Sequence, residues 1–116
     1  MTMKIPPSHG VILVGHGAIP KDYPRDLVTK LKALEANRRV AGGEPTSEET
    51  ELDMHIRRWP RTPETDPYQS GLEALAAHLK VSLNGTRFAI AYNEFCGPTI
   101  EEAVEDMIAA GVRVVT

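Results

Sequence analysis

The clearest indication of the fold is the segment Val11-Ile12-Leu13-Val14-Gly15-His16-Gly17. It begins with a short, uninterrupted aliphatic run, which is typical of a strand buried on both faces of a parallel sheet. The run ends at a histidine between two glycines, and this pattern indicates a tight turn directly after the strand. We therefore predict a first strand that delivers His16 at its carboxyl end.

The rest of the chain alternates helices with strands. Hydrophobic periodicity predicts the following elements: helices over residues 25–39, about 47–57 and 68–81, and strands over residues 88–92 and 112–116. A last helix begins after Gly97-Pro98, because Thr99 and Glu102 have the spacing of a capping box. The order predicts an α/β fold with a doubly wound parallel sheet, here three parallel strands flanked by helices and joined by right-handed crossovers.

Residues 42–67 form an insert that contains four prolines. The helices before and after it are both expected to run along the sheet away from its carboxyl edge, so the insert has to return to that edge. Its basic and aromatic residues are Arg57, Arg58, Trp59 and Arg61. We expect these residues near the rim of the site. A solvated loop whose arginines pair with the acidic residues of the insert is the alternative.

Composition limits the classes of function. The chain has 116 residues, which fits a single domain. Its formal net charge of -3 gives no broad positive field, so we expect no nucleic-acid partner. The single cysteine, Cys96, excludes an intramolecular disulfide, and the sequence shows no signal-peptide core and no membrane-spanning segment. These features predict a cytoplasmic, reduced protein without membrane association.

The candidate site residues are His16 and Glu94, which follow the first and second strands. Ligands of a doubly wound sheet bind beyond the carboxyl ends of its strands. A neutral imidazole there can bind a divalent metal ion or accept a proton near neutral pH. Two structural roles are the alternatives: His16 can cap its own turn, and Glu94 can cap the following helix.

Cys96 is interpreted as a small buried hydrophobe. The remaining histidines, interpreted as surface residues, are His9, His55 and His78.

No motif indicates a nucleotide cofactor or a thiol-redox centre. The chain lacks the G-x-x-x-x-G-K-[ST] and G-x-G-x-x-G fingerprints, the G-x-S-x-G elbow and a C-x-x-C pair. ATP, dinucleotide, serine-hydrolase and thiol-redox chemistry therefore lack their usual signals.

Three segments resemble the CbiX/SirB type of sirohydrochlorin chelatase. They are Leu13 to Ala18 around the G-H-G motif, Tyr92 to Ala103 after the second strand, and Gly111 to Val115 at the third. The resemblance implies a chelatase-like α/β fold and ATP-independent insertion of a divalent metal ion (Co²⁺, Fe²⁺ or Ni²⁺) into sirohydrochlorin or a related tetrapyrrole. This would be a lyase reaction of cobalamin or sirohaem biosynthesis. The family's motif residues map onto His16 and Glu94, which the resemblance implies are the metal-ligand and proton-acceptor pair.

The sequence departs from the family pattern at two points. Family members usually carry a further histidine in a G-x-H segment beyond the third strand, and they place the two site residues closer together along the chain. We therefore expect residues 1–116 to be the amino-terminal portion of a chelatase domain, truncated at strand three, with an insert at about 42–67. The insert arginines and Trp59 are expected to bind the peripheral carboxylates and the flat face of the macrocycle.

Two other functions fit the same residues. The first is a metal- or tetrapyrrole-binding domain without turnover, completed by a partner chain, such as a second copy in a homodimer, across the exposed edge of the third strand. The second is a histidine-dependent phosphatase. Those enzymes have an arginine directly before the histidine, whereas this chain has Gly15 there.

Overall fold

The computed structural model describes residues 8–116, and the start of the chain, where the sequence predicts no element, lies outside the described residues. The elements in chain order are β1 (His9–Gly15), α1 (Arg25–Ala41), α2 (Ser47–Arg57), α3 (Pro67–Ser82), β2 (Arg87–Tyr92), α4 (Ile100–Ala109) and β3 (Val114–Val115). Each predicted helix and strand is present. The predicted class is confirmed, because the protein is an α/β structure with a three-stranded parallel sheet flanked by helices.

β1 is the central strand, in the order β2-β1-β3. It pairs with every residue of β2, from Gly10 opposite Arg87 to Gly15 opposite Tyr92. β3 pairs only with the first residues of β1, and the ladder is extended by a hydrogen bond from the Ile12 N–H to the Thr116 carbonyl at 2.8 Å. The full-length β1–β2 pairing is what brings the ends of these two strands to the same edge of the sheet.

Helices cover both faces of the sheet. A Cβ atom on Gly10 would lie 2.5 Å from the sulfur of Met107 in α4, whereas one on Gly15 would lie 2.5 Å from the Leu72 side chain of α3. Because side chains alternate between the two faces along a strand, positions 10 and 15 face opposite sides. α4 therefore lies against one face and α3 against the other, as a doubly wound sheet requires.

α1 and α2 form a helical hairpin with a core of its own. Leu31 and Ile56 are buried in it together with Tyr23, and the Arg38 guanidinium pairs with the buried Glu49 carboxylate at 2.9 Å. α1 packs mainly against α2, which differs from the expectation that it runs along the sheet, because α2 and the preceding loop cover its apolar stripe. The radius of gyration is accordingly 16.9 Å, above the roughly 13 Å of a compact chain of this length.

Local capping signals set the starts of three helices. The side chains of Thr46 and Asp66 accept hydrogen bonds from backbone N–H groups in the first turns of α2 and α3. Thr99 and Glu102 form the predicted capping box at the start of α4. These contacts are local in sequence, which explains why the helix starts agree closely with the pattern.

Replacing Thr99 with alanine should lower the free energy of unfolding by about 1 kcal/mol at neutral pH, because α4 loses its cap. The hydrogen bonds to Thr99 hold the pKa of Glu102 below its usual range, with a smaller contribution in the same direction from Arg58 and Arg57. A carboxyl with a lowered pKa stabilises the fold above its unfolded pKa, and this contribution is lost as the pH falls through the folded pKa. Thr99→Ala keeps the backbone N–H that donates to this carboxylate, so the pH dependence is tested by Glu102→Ala, whose destabilising effect should shrink in acid.

Urea denaturation at neutral pH and in acid measures this difference. Thr50→Ala is the matched control, because Thr50 is an exposed residue inside α2. We expect the control to leave the free energy of unfolding unchanged or slightly raised. An undiminished effect of Glu102→Ala in acid would contradict the role given to the Glu102 carboxylate.

Candidate functional site

His16 and Glu94 meet at the carboxyl edge of the sheet. The backbone N–H of Glu94 donates to the His16 carbonyl at 2.9 Å, and the neighbouring Asn93 N–H donates to the Gly15 carbonyl at 2.8 Å. Both site side chains are exposed. The two residues therefore converge at one edge, as the order of elements predicts. The catalytic and metal-binding roles assigned to them stay predictions.

The capping roles considered for this pair are taken by other groups. The N–H of His16 donates to the Tyr68 hydroxyl of α3 at 2.9 Å, while the imidazole makes no hydrogen bond within residues 8–116. The cap of α4 is Thr99 rather than Glu94. Both site side chains are therefore left available to a ligand.

Gly17 allows the close approach of the two segments. Its φ of 91° lies in the left-handed region, and a Cβ atom on it would lie 1.8 Å from the Glu94 carbonyl oxygen. An L side chain at this position would be strained and would also collide with backbone atoms. The second glycine of the G-H-G motif thus permits the contact between the turn after β1 and the loop after β2.

Arg57, at the end of α2, holds the segment that carries Glu94, residues 93–98, which we call the site loop. Its guanidinium donates to three backbone carbonyls, those of Tyr92 at 3.2 Å, Asn93 at 3.0 Å and Cys96 at 2.7 Å. The side chain is only 13% exposed. A planar group with several fixed donors can serve several carbonyls of one turn at once. Arg57 is therefore a cross-link between the insert and the site loop.

Arg61 holds the centre of the site loop. It donates to the Phe95 carbonyl, and its Nε lies 2.9 Å from the Asp66 carboxylate, with both side chains almost completely buried. The Nε–H is not aligned for a hydrogen bond with that oxygen, so the contact is an ion pair. Phe95 has a φ of 61°, a conformation that costs an aromatic residue about 1–3 kcal/mol. Arg61 and the hairpin core, against which Phe95 packs, hold it there.

Arg58 and Trp59 are the insert residues that remain available to a ligand. Arg58 is exposed, and within residues 8–116 its guanidinium takes part in no hydrogen bond or ion pair. Trp59 is partly buried. Because Arg57 and Arg61 direct their donors at backbone carbonyls, the prediction that insert residues bind a substrate rests on Arg58 and Trp59.

Glu94 borders a cavity of about 530 Å³ between the hairpin and the site loop. The charged side chains that share its wall are Glu35, Glu49, Asp53, Glu101, Arg38, Arg39 and Arg57. Burial raises the pKa of Glu35, and the fields of Glu49, Glu94 and Asp53 add to this, whereas Arg39 opposes it. The surroundings of Glu94 are thus polar and carry both signs of charge.

Two buried residues with titratable side chains lie at the site loop: Cys96 within it and Tyr92 directly before it, at the end of β2. Burial raises the pKa of the Cys96 thiol, although the field of Arg61 opposes it. The Tyr92 hydroxyl is buried without a hydrogen-bond partner in the described part of the chain, and burial raises its pKa as well. A buried thiol with a raised pKa is a poor nucleophile at neutral pH. The interpretation of Cys96 as a small buried side chain is confirmed.

Sequence patterns did not single out Asp66 and Tyr68, which support the site. Asp66 directly before Pro67 is a helix-start signal that could have identified the cap of α3. The ion pair of Asp66 with Arg61 and the hydrogen bond between Tyr68 and His16 join separate segments of the chain. Local sequence patterns do not predict such contacts.

His55 is exposed, as expected, but it is also part of an aromatic cluster. Its Nδ1 lies 2.8 Å from the Tyr23 hydroxyl, and its ring packs edge-on against Trp59 with a centroid distance of 5.6 Å. His55 is therefore held in position by its contacts with Tyr23 and Trp59. Of the other histidines, His9 contacts the Thr116 hydroxyl and His78 is exposed.

Comparison of the chain with protein-family models, with curated proteins and with solved structures finds no match. Among residues 8–116, no group of three or more histidine, cysteine, aspartate or glutamate side chains is arranged to hold a metal ion. None of the helices in the described part has both the length and the hydropathy needed to cross a bilayer.

Gly17→Ala should destabilise the protein by at least about 2 kcal/mol, because the new Cβ atom would collide with the Glu94 carbonyl in addition to straining the backbone. Gly85→Ala is the control, since Gly85 has a similar φ of 88° but open space around it. Its strain alone should cost roughly 1–2 kcal/mol. Equal losses of unfolding free energy in urea would show that the close approach at Gly17 does not matter.

Arg57→Gln should increase the rate at which Cys96 reacts with Ellman's reagent by about tenfold or more. The variant loses hydrogen bonds from a charged donor, each contributing about 1.5–3 kcal/mol, so the site loop should open more often. Cys96 is the only thiol in the chain, which makes the readout specific. Arg58→Gln removes the same charge from an exposed position and should leave the rate unchanged. Equal acceleration in both variants would contradict the cross-link.

Proposed function

We propose that this protein inserts a divalent metal ion into a tetrapyrrole without ATP, with His16 and Glu94 as the metal-ligand and proton-acceptor pair. The observation that carries the proposal is the backbone hydrogen bond of 2.9 Å between these two residues, whose exposed side chains flank it at the carboxyl edge of the sheet. The resemblance of the G-H-G segment and the segment after β2 to sirohydrochlorin chelatases supports the same assignment, including a chelatase-like fold.

The reaction requires two tasks that this pair can divide. The hydrated metal ion must exchange its waters for ring nitrogens, and the pyrrole N–H protons must leave. The His16 imidazole can bind the ion or accept a proton near neutral pH, and the Glu94 carboxylate can perform the other task. The metal ion is a substrate in this scheme. A single protein ligand leaves the other coordination positions of the ion for water and ring nitrogens.

The insert residues have separate roles in the proposal. Arg58 pairs with a peripheral carboxylate of the macrocycle, and Trp59 contributes apolar surface. Arg57 and Arg61 act through the site loop, since their donors already bind its carbonyls. They are therefore positioning residues for Glu94.

A non-catalytic metal- or tetrapyrrole-binding domain, completed by a partner chain, is the second candidate. The observation that favours it is the short edge strand β3, whose Val114 and Val115 side chains are 54% and 38% exposed. Such an edge can pair with another chain. Sedimentation together with the insertion assay separates the candidates: a stable dimer without metal insertion favours the binding domain, and insertion favours the enzyme.

His16→Ala should reduce cobalt insertion into sirohydrochlorin by at least about 100-fold, because the variant lacks the imidazole that binds the ion or accepts the proton. The absorbance change of the macrocycle after addition of Co²⁺ measures the rate. The circular dichroism spectrum should be unchanged, since the side chain is exposed.

Two further variants complete this test. His78→Ala removes an exposed histidine of α3 and should retain the wild-type rate, whereas Glu94→Gln should lose most of it. Insertion by His16→Ala at the wild-type rate would refute the assignment of the pair. A wild-type protein that inserts no metal ion would refute the enzymatic function itself.

A further inference from the structure

β2 forms the longer of the two edges of the sheet. The outer strands are β2, with six residues, and β3, with two. An edge strand carries backbone N–H and C=O groups on its outer side, and proteins usually cover or interrupt such an edge. The outer groups of β2 can therefore bind another strand unless a part of the chain satisfies them.

The hydrogen bonds of Tyr92, at the end of β2, show which backbone groups of the strand point outward. Its N–H donates to the Pro98 carbonyl at 2.9 Å, and its carbonyl accepts a hydrogen bond from Arg57 at 3.2 Å. The N–H of the next residue, Asn93, donates in the other direction, to a carbonyl at the end of β1. Both backbone groups of Tyr92 therefore point away from β1, and both are satisfied within the chain.

Phe88 and Ile90 carry the open part of this edge. Backbone groups alternate in direction along a strand, so the N–H and C=O groups of these two residues point away from β1, as those of Tyr92 do. Among residues 8–116, no segment forms a backbone hydrogen bond with these outward groups. Both residues are half-buried, whereas Ala91 and Tyr92 are buried. The edge is thus closed at its carboxyl end and open at Phe88 and Ile90.

A cavity of about 460 Å³ lies along the open part of the edge, and we call it the edge cavity. Phe88 and Ala89 of β2 line it together with Ala103 and Met107 of α4. The edge cavity gives a further strand room beside β2. Because much of its wall is apolar, such a strand would also remove apolar surface from water.

The open groups are self-complementary about Ala89. If two copies of β2 lie antiparallel with Phe88 of each opposite Ile90 of the other, both positions become hydrogen-bonded pairs, and every open group meets a partner. Ala89 then lies opposite Ala89 of the second copy, in the non-hydrogen-bonded position where the strands approach most closely and a methyl group fits. An aromatic side chain opposite a β-branched one is also a favourable cross-strand pair.

Charged side chains beside the edge fit the same arrangement. Glu102 and Asp106 are four residues apart in α4 and share one flank of the helix, and Asp106 borders the edge cavity together with Arg87. In the antiparallel register, Arg87 of the second copy lies opposite Ala91, which is nearer the start of α4 and therefore nearer Glu102. An arginine of each copy thus approaches a carboxylate of the other, while the two arginines lie apart.

We infer that the outer edge of β2 pairs antiparallel with the same edge of a second copy of this chain, centred on Ala89, so that the two sheets become continuous. This contact is isologous and closes after two copies. The carboxyl edges that carry His16 and Glu94 then lie at opposite ends of the joint sheet and stay open. The dimer is therefore independent of metal insertion, and it leaves free the β3 edge at which a binding domain would be completed.

Opposite charges introduced at position 89 test this register. Ala89→Glu and Ala89→Lys each place like charges opposite each other at the twofold axis, so each variant alone should dimerise with a Kd raised at least about tenfold. Ala89 borders the edge cavity, which leaves space for the longer side chain. An equimolar mixture of the two variants should recover the dimer, because glutamate then lies opposite lysine. A folding defect would not produce this recovery.

Sedimentation velocity over micromolar to submillimolar concentrations measures the dimer. Val115→Glu and Val115→Lys are the matched controls on the other edge, where Val115 is 38% exposed, and they should leave the Kd unchanged. A wild-type protein that stays monomeric over this range would overturn the inference, and so would a dimer that only the Val115 variants lose. Ala89 variants that keep the wild-type circular dichroism spectrum but do not recover the dimer when mixed would refute the register.

Discussion

Hydrogen bonds from Arg57 and Arg61 to backbone carbonyls of the site loop and of the adjacent Tyr92 hold the segment that carries Glu94. The loop turns the chain from β2 to α4 and leaves several carbonyls that neither a strand nor a helix can satisfy. Guanidinium groups from the insert donate hydrogen bonds to these carbonyls. Hydrogen bonds to charged groups contribute about 1.5–3 kcal/mol each to stability. The insert therefore helps to fix the conformation of the loop that carries Glu94.

The same contacts continue to the other strand. Arg61 pairs with Asp66, which caps α3, and Tyr68 in the first turn of α3 accepts the hydrogen bond from the His16 N–H. The turn after β1 and the loop after β2 are therefore held by one segment of the chain. Loss of one partner of a buried ion pair typically lowers stability by about 3–5 kcal/mol. A substitution that removes the Arg61–Asp66 pair should therefore disturb both the turn after β1 and the loop after β2.

The three arginines of the insert have different roles, because two of them bind backbone carbonyls of the protein and the third is exposed. Arg57 and Arg61 point inward and are mostly buried, whereas Arg58 between them is exposed. The separate core of the α1–α2 hairpin fixes the end of α2, and with it the direction of each guanidinium. A segment rich in proline and acidic residues thereby both shapes the site loop and provides an exposed cation beside it.

Sequence patterns were sufficient to predict the order of elements, the parallel sheet, the capping box of Thr99 and Glu102, and the convergence of His16 and Glu94 at one edge. Those features follow from hydrophobic periodicity, local hydrogen bonds and the handedness of crossovers, which operate over short stretches of chain. The packing of α1 on α2, and the binding of carbonyls by Arg57 and Arg61 while Arg58 stays exposed, depend on long-range contacts and could not be predicted. A guanidinium donates equally well to a ligand carboxylate and to a backbone carbonyl, and which acceptor it contacts depends on a loop distant in sequence.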